Sequence, residues 1–290
     1  MPFLSPLRYP GGKRKLADFI KLVFTTNDLV GAEYAEPYAG GAGIALALLS
    51  EQYARRIHLN DLDRAVYAFW HSVLNATESL CRLIRDTPVN IDEWHRQKQI
   101  QDDTDASLLP LGFSTFFLNR TNRSGIISGG VIGGKKQAGK WRLDARFNKP
   151  DLIARIENIA RHRGRIQLYH LDASEFIDEV LPDLPEDTVC YLDPPYYVKG
   201  EQELYTSYYK PDDHQHIARL VTSMDHLWIV SYDDVPEIRA LYEGFRYVNY
   251  GLNYSAQDRY KGAEIMFFCS QLGVPDVPDP AKVSRREVTQ

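Results

Sequence analysis

The sequence predicts an α/β fold: a Rossmann-like, mostly parallel sheet with helices on both faces, interrupted by an inserted, mainly helical subdomain. Three observations predict it. Strand-like and helix-like stretches alternate near both ends of the chain, which is the pattern of a parallel sheet covered on both sides. A glycine-rich turn, PYAGGAG, stands between the first strand and its helix. The alternation is lost between Thr87 and Asn148 and resumes after Pro150.

Taken in order, an apolar stretch ending at Tyr34–Glu36 reads as a strand, the turn follows, and IALALLSEQY reads as a helix. Arg56–Asn60 reads as a short strand delivering Asp61, and Asp63–Arg85 as a helix with apolar positions at Val66, Phe69, Trp70, Val73 and Leu74. The middle of the chain has a polar run (QIQDDTDAS), an aromatic run (GFSTFFLNR) and a Gly/Lys-rich run expected to be a mobile loop near Ser128–Lys140. Beyond it, Asp151–His162, Ala173–Leu181 and Asp212–Met224 read as helices. Arg165–His170, Thr188–Leu192, Leu227–Ser231 and Ile265–Cys269 read as strands. The expected organisation is one α/β domain over 1–86 and 149–272, an inserted subdomain over 87–148, and a Pro-rich, disordered tail over 273–290.

Composition sets bounds. The chain has 290 residues, is 44% apolar and 25% charged, and contains no apolar run long enough for a membrane span. Its start has no signal-peptide core, and Cys81, Cys190 and Cys269 form no CxxC pair. A cytoplasmic protein with no membrane association and no metal site is expected. Net charge is −5, yet Arg120–Arg165 holds twelve Lys/Arg against three acids, so that stretch is +9 and the remainder −14. A basic stripe on an acidic protein fits a phosphate-contacting face or a solvated helix surface equally well on charge alone.

Two constellations carry chemistry. In Glu36-Pro-Tyr-Ala-Gly-Gly-Ala-Gly43, the glycines let the backbone approach a ligand before the helix begins. Asp61, at the end of the next strand, suits a carboxylate that accepts from ribose hydroxyls. The second constellation is Asp193-Pro194-Pro195-Tyr196, directly after the apolar strand VCYL. The prolines stiffen the loop and remove two N–H donors. The loop then presents two acceptors, the Asp193 carboxylate and the Pro194 carbonyl, beside the flat face of Tyr196. That set holds an exocyclic amine on a planar ring and aims its lone pair at an electrophile.

These motifs resemble the Dam-type, or D12, class of DNA adenine methyltransferases, from Leu7 to about Cys269. The resemblance rests on LRYPGGK, AEPYAGGAG, the LND of Leu59–Asp61, FFLNRTNRSG, LDPPYY and the VSYDD of Val230–Asp234, in the order of the family's α group. It implies a site-specific transferase that moves a methyl group from S-adenosylmethionine to N6 of an adenine flipped out of double-stranded DNA, in line and without a covalent enzyme intermediate. It implies catalytic roles for Asp193, Pro194, Pro195 and Tyr196. For cofactor binding it implies Tyr9, Lys13, Glu36, Tyr38, Gly40, Gly43, Asp61, Asp172 and Asp193. For DNA binding it implies Arg8, Arg120, Asn122 and Arg123, with Lys135, Lys136 and Lys140 in the basic loop. Such an enzyme works in a bacterial or phage-infected cell, alone or paired with a cognate restriction enzyme.

Absences separate the alternatives. No cysteine follows a proline, as a cytosine carbon-5 nucleophile would, and the Pro-Cys-x-x-Cys of zinc deaminases is missing. His170, His214 and His216 lack metal-ligand spacing and are expected at the surface or at helix caps. Cytosine-N4 methylation uses the same geometry with Ser in place of Asp193. A silent DNA-binding module would not need an intact DPPY. A nicotinamide dehydrogenase would explain the glycine turn but not DPPY or the basic stretch.

Overall fold

The computed structural model describes residues 5–8, 13–197, 209–253 and 261–288. A 3-10 turn at Lys13–Leu16 leads into α1 (Ala17–Thr26), β1 (Glu33–Glu36), α2 (Gly43–Ser50) and β2 (Arg56–Asn60). Next come α3 (Arg64–Asn75), α4 (Thr77–Asp86), α5 (Ile91–Asp102), α6 (Leu108–Thr121), α7 (Lys149–Ala160) and β3 (Ile166–Tyr169). The chain continues with α8 (Ala173–Glu175), β4 (Val189–Leu192), α9 (Pro211–Ser223), β5 (Leu227–Asp233), α10 (Pro236–Leu241), β6 (Arg246–Asn253), β7 (Lys261–Phe268) and α11 (Arg285–Val288).

Two compact units divide the chain: Met1–Gly12 with Asp63–His170, and Lys13–Leu62 with Leu171–Gln290. Within the second, six strands lie in the order β2-β1-β4-β5-β7-β6. The pairs β1–β2, β1–β4 and β4–β5 are parallel, and β7 runs antiparallel between β5 and β6. All four residues of β1 and of β4 are buried, as central parallel strands require. Six of the eight residues of α2 are buried, so this helix is apolar all round.

From β1 the chain steps to β2 on one side and later to β4 on the other. The carboxyl ends of β1 and β4 therefore flank a switch in strand order, where open α/β sheets bind ligands. The register sets Tyr34 beside Val189 and Ala35 beside Cys190, so the glycine turn and the DPPY loop leave adjacent strand ends.

The other unit is built on α6, ten of whose fourteen residues are buried. Gly112 lets α6 approach α3 closely: a Cβ there would stand 2.4 Å from the Ala68 carbonyl and 2.6 Å from Ser72 Oγ. Side-chain caps start three of its helices: Asp63 accepts from Ala65 N–H, Asn90 from Glu93 N–H, and Asn148 from Asp151 N–H.

Several expectations need correction. The compact unit around the insert is wider than 87–148 and includes α3, α4 and the first residues of the chain, because α6 buries its apolar surface against α3. The expected single helix over Asp63–Arg85 breaks at Ala76, which is not helical. Also not foreseen were α1, α10, and β6 over RYVNYGLN, whose pattern is too polar for a buried strand. The tail is not wholly unstructured, since α11 packs on α1 with Val283 and Val288 buried. The Gly/Lys run is a bonded hairpin rather than an open loop. Asn122 and Val131 form a bridge, Arg123 N–H donates to the Gly130 carbonyl, and Gln137 donates to the carbonyls of Ile132 and Gly134. No helix among the described residues is long and apolar enough to cross a membrane.

Candidate active site

At the carboxyl end of β1 the turn is tight. Gly40 and Ala42 adopt left-handed backbone, with φ of 45° and 47°. Glycine takes that conformation freely, whereas Ala42 holds it at a cost of about 1 kcal/mol. Asn60, fully buried at the end of β2, organises the surroundings. Its amide donates to the carbonyls of Pro37 and Leu171 at 3.0 Å each, and its carbonyl accepts from Leu171 N–H at 2.9 Å. Asp61 Oδ2 accepts from Gly40 N–H at 2.8 Å, which ties the carboxylate to the turn. Asp172 caps α8 by accepting from Ser174 N–H at 2.8 Å. The Tyr38 and Tyr209 hydroxyls are hydrogen-bonded at 2.9 Å. Asp61, Asp172 and Tyr38 all keep partial exposure.

Glu36 and Gly43 serve the turn itself. Glu36 Oε1 accepts from Tyr34 OH at 3.0 Å and from Ala45 N–H in the first turn of α2 at 3.1 Å. Burial pushes its carboxyl up to about 8 in spite of those two donors. A Cβ on Gly43 would meet Arg14 Cβ at 3.2 Å, so this glycine allows close packing.

At the end of β4 stands the DPPY loop. Asp193 Oδ1 accepts from Ser231 Oγ at 2.9 Å, and Ser231 is also hydrogen-bonded to Tyr191 OH at 2.9 Å. Asp233 Oδ1 accepts from Tyr197 N–H at 2.9 Å. Ser231 and Asp233 lie two apart on β5, so their side chains share one face and brace the loop from below. Lys13 Nζ lies 3.2 Å from Asp193 Oδ1 and 2.5 Å from Glu264 Oε2, donates to Tyr196 OH, and sits 3.4 Å from Tyr250 OH. The ammonium also lies 4.8 Å from the centre of the Tyr196 ring.

The electrostatics of this group are tightly coupled. Burial works against the Lys13 charge, but Asp193, Tyr250 and Glu264 outweigh it, and the ammonium titrates well above its ordinary range. Asp193 is raised, mainly by burial and further by Glu264, while Lys13 and Ser231 oppose the rise. Lys13, expected at the cofactor, has its ammonium on the DPPY loop beside Asp193, itself one of the expected cofactor residues. Asn60, Ser231, Asp233, Tyr250 and Glu264 were not foreseen. Their signals were present, since Ser231 and Asp233 alternate in a β pattern and Glu264 is a lone acid in the apolar run GAEIMFFCS.

His214, expected at the surface or at a helix cap, is corrected. It is buried, with its ring 5.1 Å from that of Tyr197 and 5.6 Å from that of Tyr232, and burial lowers its pKa. His170 stacks on Tyr67 at 4.6 Å, and His216 is exposed. Among the described residues no cluster of His, Cys, Asp and Glu could hold a metal ion. Tyr9 lies outside the described residues.

The expected DNA-binding residues separate into two groups. Asn122 is fully buried, accepts from Trp94 Nε1 at 2.7 Å and donates to the carbonyls of Ile126 and Ile127. It holds the hairpin and has no edge left for a base, which corrects its assignment. Arg120 is partly buried, donating to the Arg146 carbonyl at 2.8 Å and to the Pro6 carbonyl at 3.4 Å. Burial first, then Arg8 and Arg155, lowers its pKa to about 10, with only Asp151 opposing. Arg8 is likewise lowered by burial and by Arg146. Crowded guanidiniums with so little counter-charge favour an anion. Arg123, Lys135, Lys136 and Lys140 are exposed. Beside them Trp141 is 66% exposed with Lys140 over its ring. It is an aromatic on a basic loop that sequence reasoning passed over.

A glycine turn with nearby carboxylates on one side of a strand switch, and a braced loop of acceptors on the other, define an α/β group-transfer enzyme. The chain belongs to the D12 class of N6 adenine-specific DNA methyltransferases, whose family model matches residues 9–255. No curated relative matches the chain. Among solved structures, a Pyrococcus horikoshii protein, PH1948, described as an RNA methyltransferase, is similar at 13% identity and a TM-score of 0.43, over 91% of this chain and 85% of that one. TrmK of M. capricolum, solved with S-adenosyl-homocysteine, is similar at 8% identity and a TM-score of 0.37, over 92% of this chain and 73% of that one. The rRNA methyltransferase aviRa from Streptomyces viridochromogenes is similar at 10% identity and a TM-score of 0.34, over 86% and 83%. At TM-scores this low, nothing about this chain follows from these likenesses.

Proposed function

We propose that this enzyme takes its methyl group from S-adenosylmethionine and delivers it to N6 of an adenine flipped out of double-stranded DNA, by direct in-line transfer with no covalent enzyme intermediate. The observation that carries the reading is the DPPY loop at the strand switch, fixed by Ser231 and Asp233 so that its acceptors are set in advance. Lys13 and Ser231 both engage Asp193 Oδ1, which assigns the amine to Oδ2. The Pro194 carbonyl accepts the second N–H, and the Tyr196 ring keeps the base in plane. Holding the amine in this way directs its lone pair toward the methyl carbon.

The cofactor's residues fit the chemistry of an adenosine-containing group. Asp61, held by Gly40 N–H, is a ribose acceptor. Tyr38 and Asp172 are half-exposed along the same strand ends, and Tyr9 completes the expected set. When bound, S-adenosylmethionine supplies a methyl group activated by its sulfonium.

Arg8, Arg120, Arg123, Lys135, Lys136 and Lys140 are the phosphate contacts, and Trp141 offers a face on which a base can stack. Flipping a base costs a few kcal/mol, which such contacts offset. The setting is the cytoplasm of a bacterial or phage-infected cell. A cognate restriction enzyme is the natural partner if the methylation protects host DNA. Incubation of plasmid DNA with methyl-labelled cofactor tests the reading: label in adenine N6 supports it, and label in cytosine overturns it.

A further inference from the structure

Among the described residues around the DPPY loop, Glu264 is a charged group that neither the motif nor the transfer chemistry calls for. It lies on β7, fully buried, opposite Asp233 on β5 and Tyr250 on β6. A buried carboxylate is costly unless it is paired. Glu264 pairs with the Lys13 ammonium at 2.5 Å, closer than the 3.2 Å between Lys13 and Asp193. We propose that Glu264 is a positioning residue for methyl transfer: it shares the Lys13 ammonium with Asp193, so that Asp193 stays a carboxylate without being bound so tightly to Lys13 that it cannot accept the substrate amine.

The inference rests on the role proposed for Asp193. Without Lys13, the buried Glu264 and the partly exposed Asp193 would be two carboxylates with no cation between them, an arrangement that disfavours both carrying charge. Without Glu264, Lys13 would be neutralised by Asp193 alone and would draw it away from the amine. The three groups together leave Asp193 intermediate. Other groups facing Asp193 are Ser231 on β5, Tyr191 on β4, Tyr196 on its own loop, Tyr250 on β6 and Glu36 on β1. Ser231 and the tyrosines do not titrate in the acid range. Glu36 is a carboxyl pushed up to about 8, so the readout must separate it from Asp193.

The test is carbon NMR of the full-length protein labelled only in aspartate carboxyl carbons, with Asp193→Asn identifying the Asp193 resonance. Glu36 is then silent. Glu264→Gln should move the Asp193 midpoint down by roughly one pH unit, the scale of one neighbouring charge, and Lys13→Met should move it up by as much or more. In methyl-transfer assays the acid limb of kcat/KM should move the same way in each variant. The rate of Glu264→Gln on its plateau should fall, since Asp193 is now held by Lys13. An Asp193 midpoint unchanged in Glu264→Gln would overturn the proposal, as would an unchanged plateau rate. Should Glu264→Gln not fold, the Lys13→Met midpoint decides: one that stays at or below the parent's overturns the shared pairing. If the parent transfers no methyl group, the function proposed for the site fails, while the titration still decides whether the three charges are shared.

Discussion

At the residue scale the site consists of acceptors set at fixed points. Asp193 is raised by burial and held by Ser231 and Lys13, so the chain keeps it in place without help from substrate. Asp193→Ala should cut methyl transfer by about a hundredfold or more, the cost of mispositioned reactants, with an unaltered circular dichroism spectrum. A variant retaining a tenth of parental activity would remove Asp193 from the mechanism. Asp61 acts on the other ligand. Asp61→Ala should weaken binding of S-adenosylhomocysteine at least about tenfold, the worth of a charged hydrogen bond, with DNA affinity unchanged. Calorimetry measures this, and equal affinity would place the ribose elsewhere. Both residues stand out in the sequence because each directly follows a short strand. Asn122 was misread because a linear motif does not show whether an amide is used internally.

At the element scale two features make sharp demands. The α3–α6 crossing has no room for a methyl group at Gly112. Gly112→Ala should therefore lower unfolding stability by about 1–3 kcal/mol, because the groups in the way are Ala68 backbone and the Ser72 hydroxyl. Equal denaturant midpoints would mean that the helices move apart freely. The turn between β1 and α2 carries Glu36, whose folded carboxyl lies near 8 while an unfolded glutamate titrates near about 4.3. The folded state thus holds a proton that the unfolded chain has lost. This group's stabilisation is complete below about pH 4 and is lost as pH rises toward 8. Glu36→Gln keeps the neutral form at every pH. Its melting temperature relative to the parent should climb between pH 5 and 8, and a constant difference would show that Glu36 ionises freely in the fold. Elements with strong local signals were readable: β1, β2, β4 and the helix after Asn148. β6 was not, because an edge strand next to an antiparallel neighbour can be polar and leaves no periodic apolar trace. The hairpin after α6 was read as mobile because its glycines are visible in sequence, while the Gln137 and Asn122 bonds that close it are not.

At the scale of the whole molecule, the chain combines a net acidic composition with one strongly basic segment. If that segment holds phosphates, DNA affinity should fall steeply with salt. Replacing Lys135, Lys136 and Lys140 with Gln should lower the slope of log affinity against log salt by about three, near one per lost contact. Target preference should survive, because phosphate contacts carry no sequence. An unchanged slope would make those lysines ordinary solvated charges. The order of motifs was enough to name the family before any coordinates, since glycine turn, insert and DPPY appear in sequence. It did not show that the insert's helices share a core with α3, which only three-dimensional packing reveals.

The central claim is that the loop after β4 transfers a methyl group to the N6 amine of adenine in DNA. Mass spectrometry of nucleosides from duplex DNA incubated with the enzyme and S-adenosylmethionine tests it most directly. The account predicts N6-methyladenine from the parent and none from Asp193→Ala. N4-methylcytosine in place of methyladenine, or N6-methyladenine from both proteins alike, would contradict it.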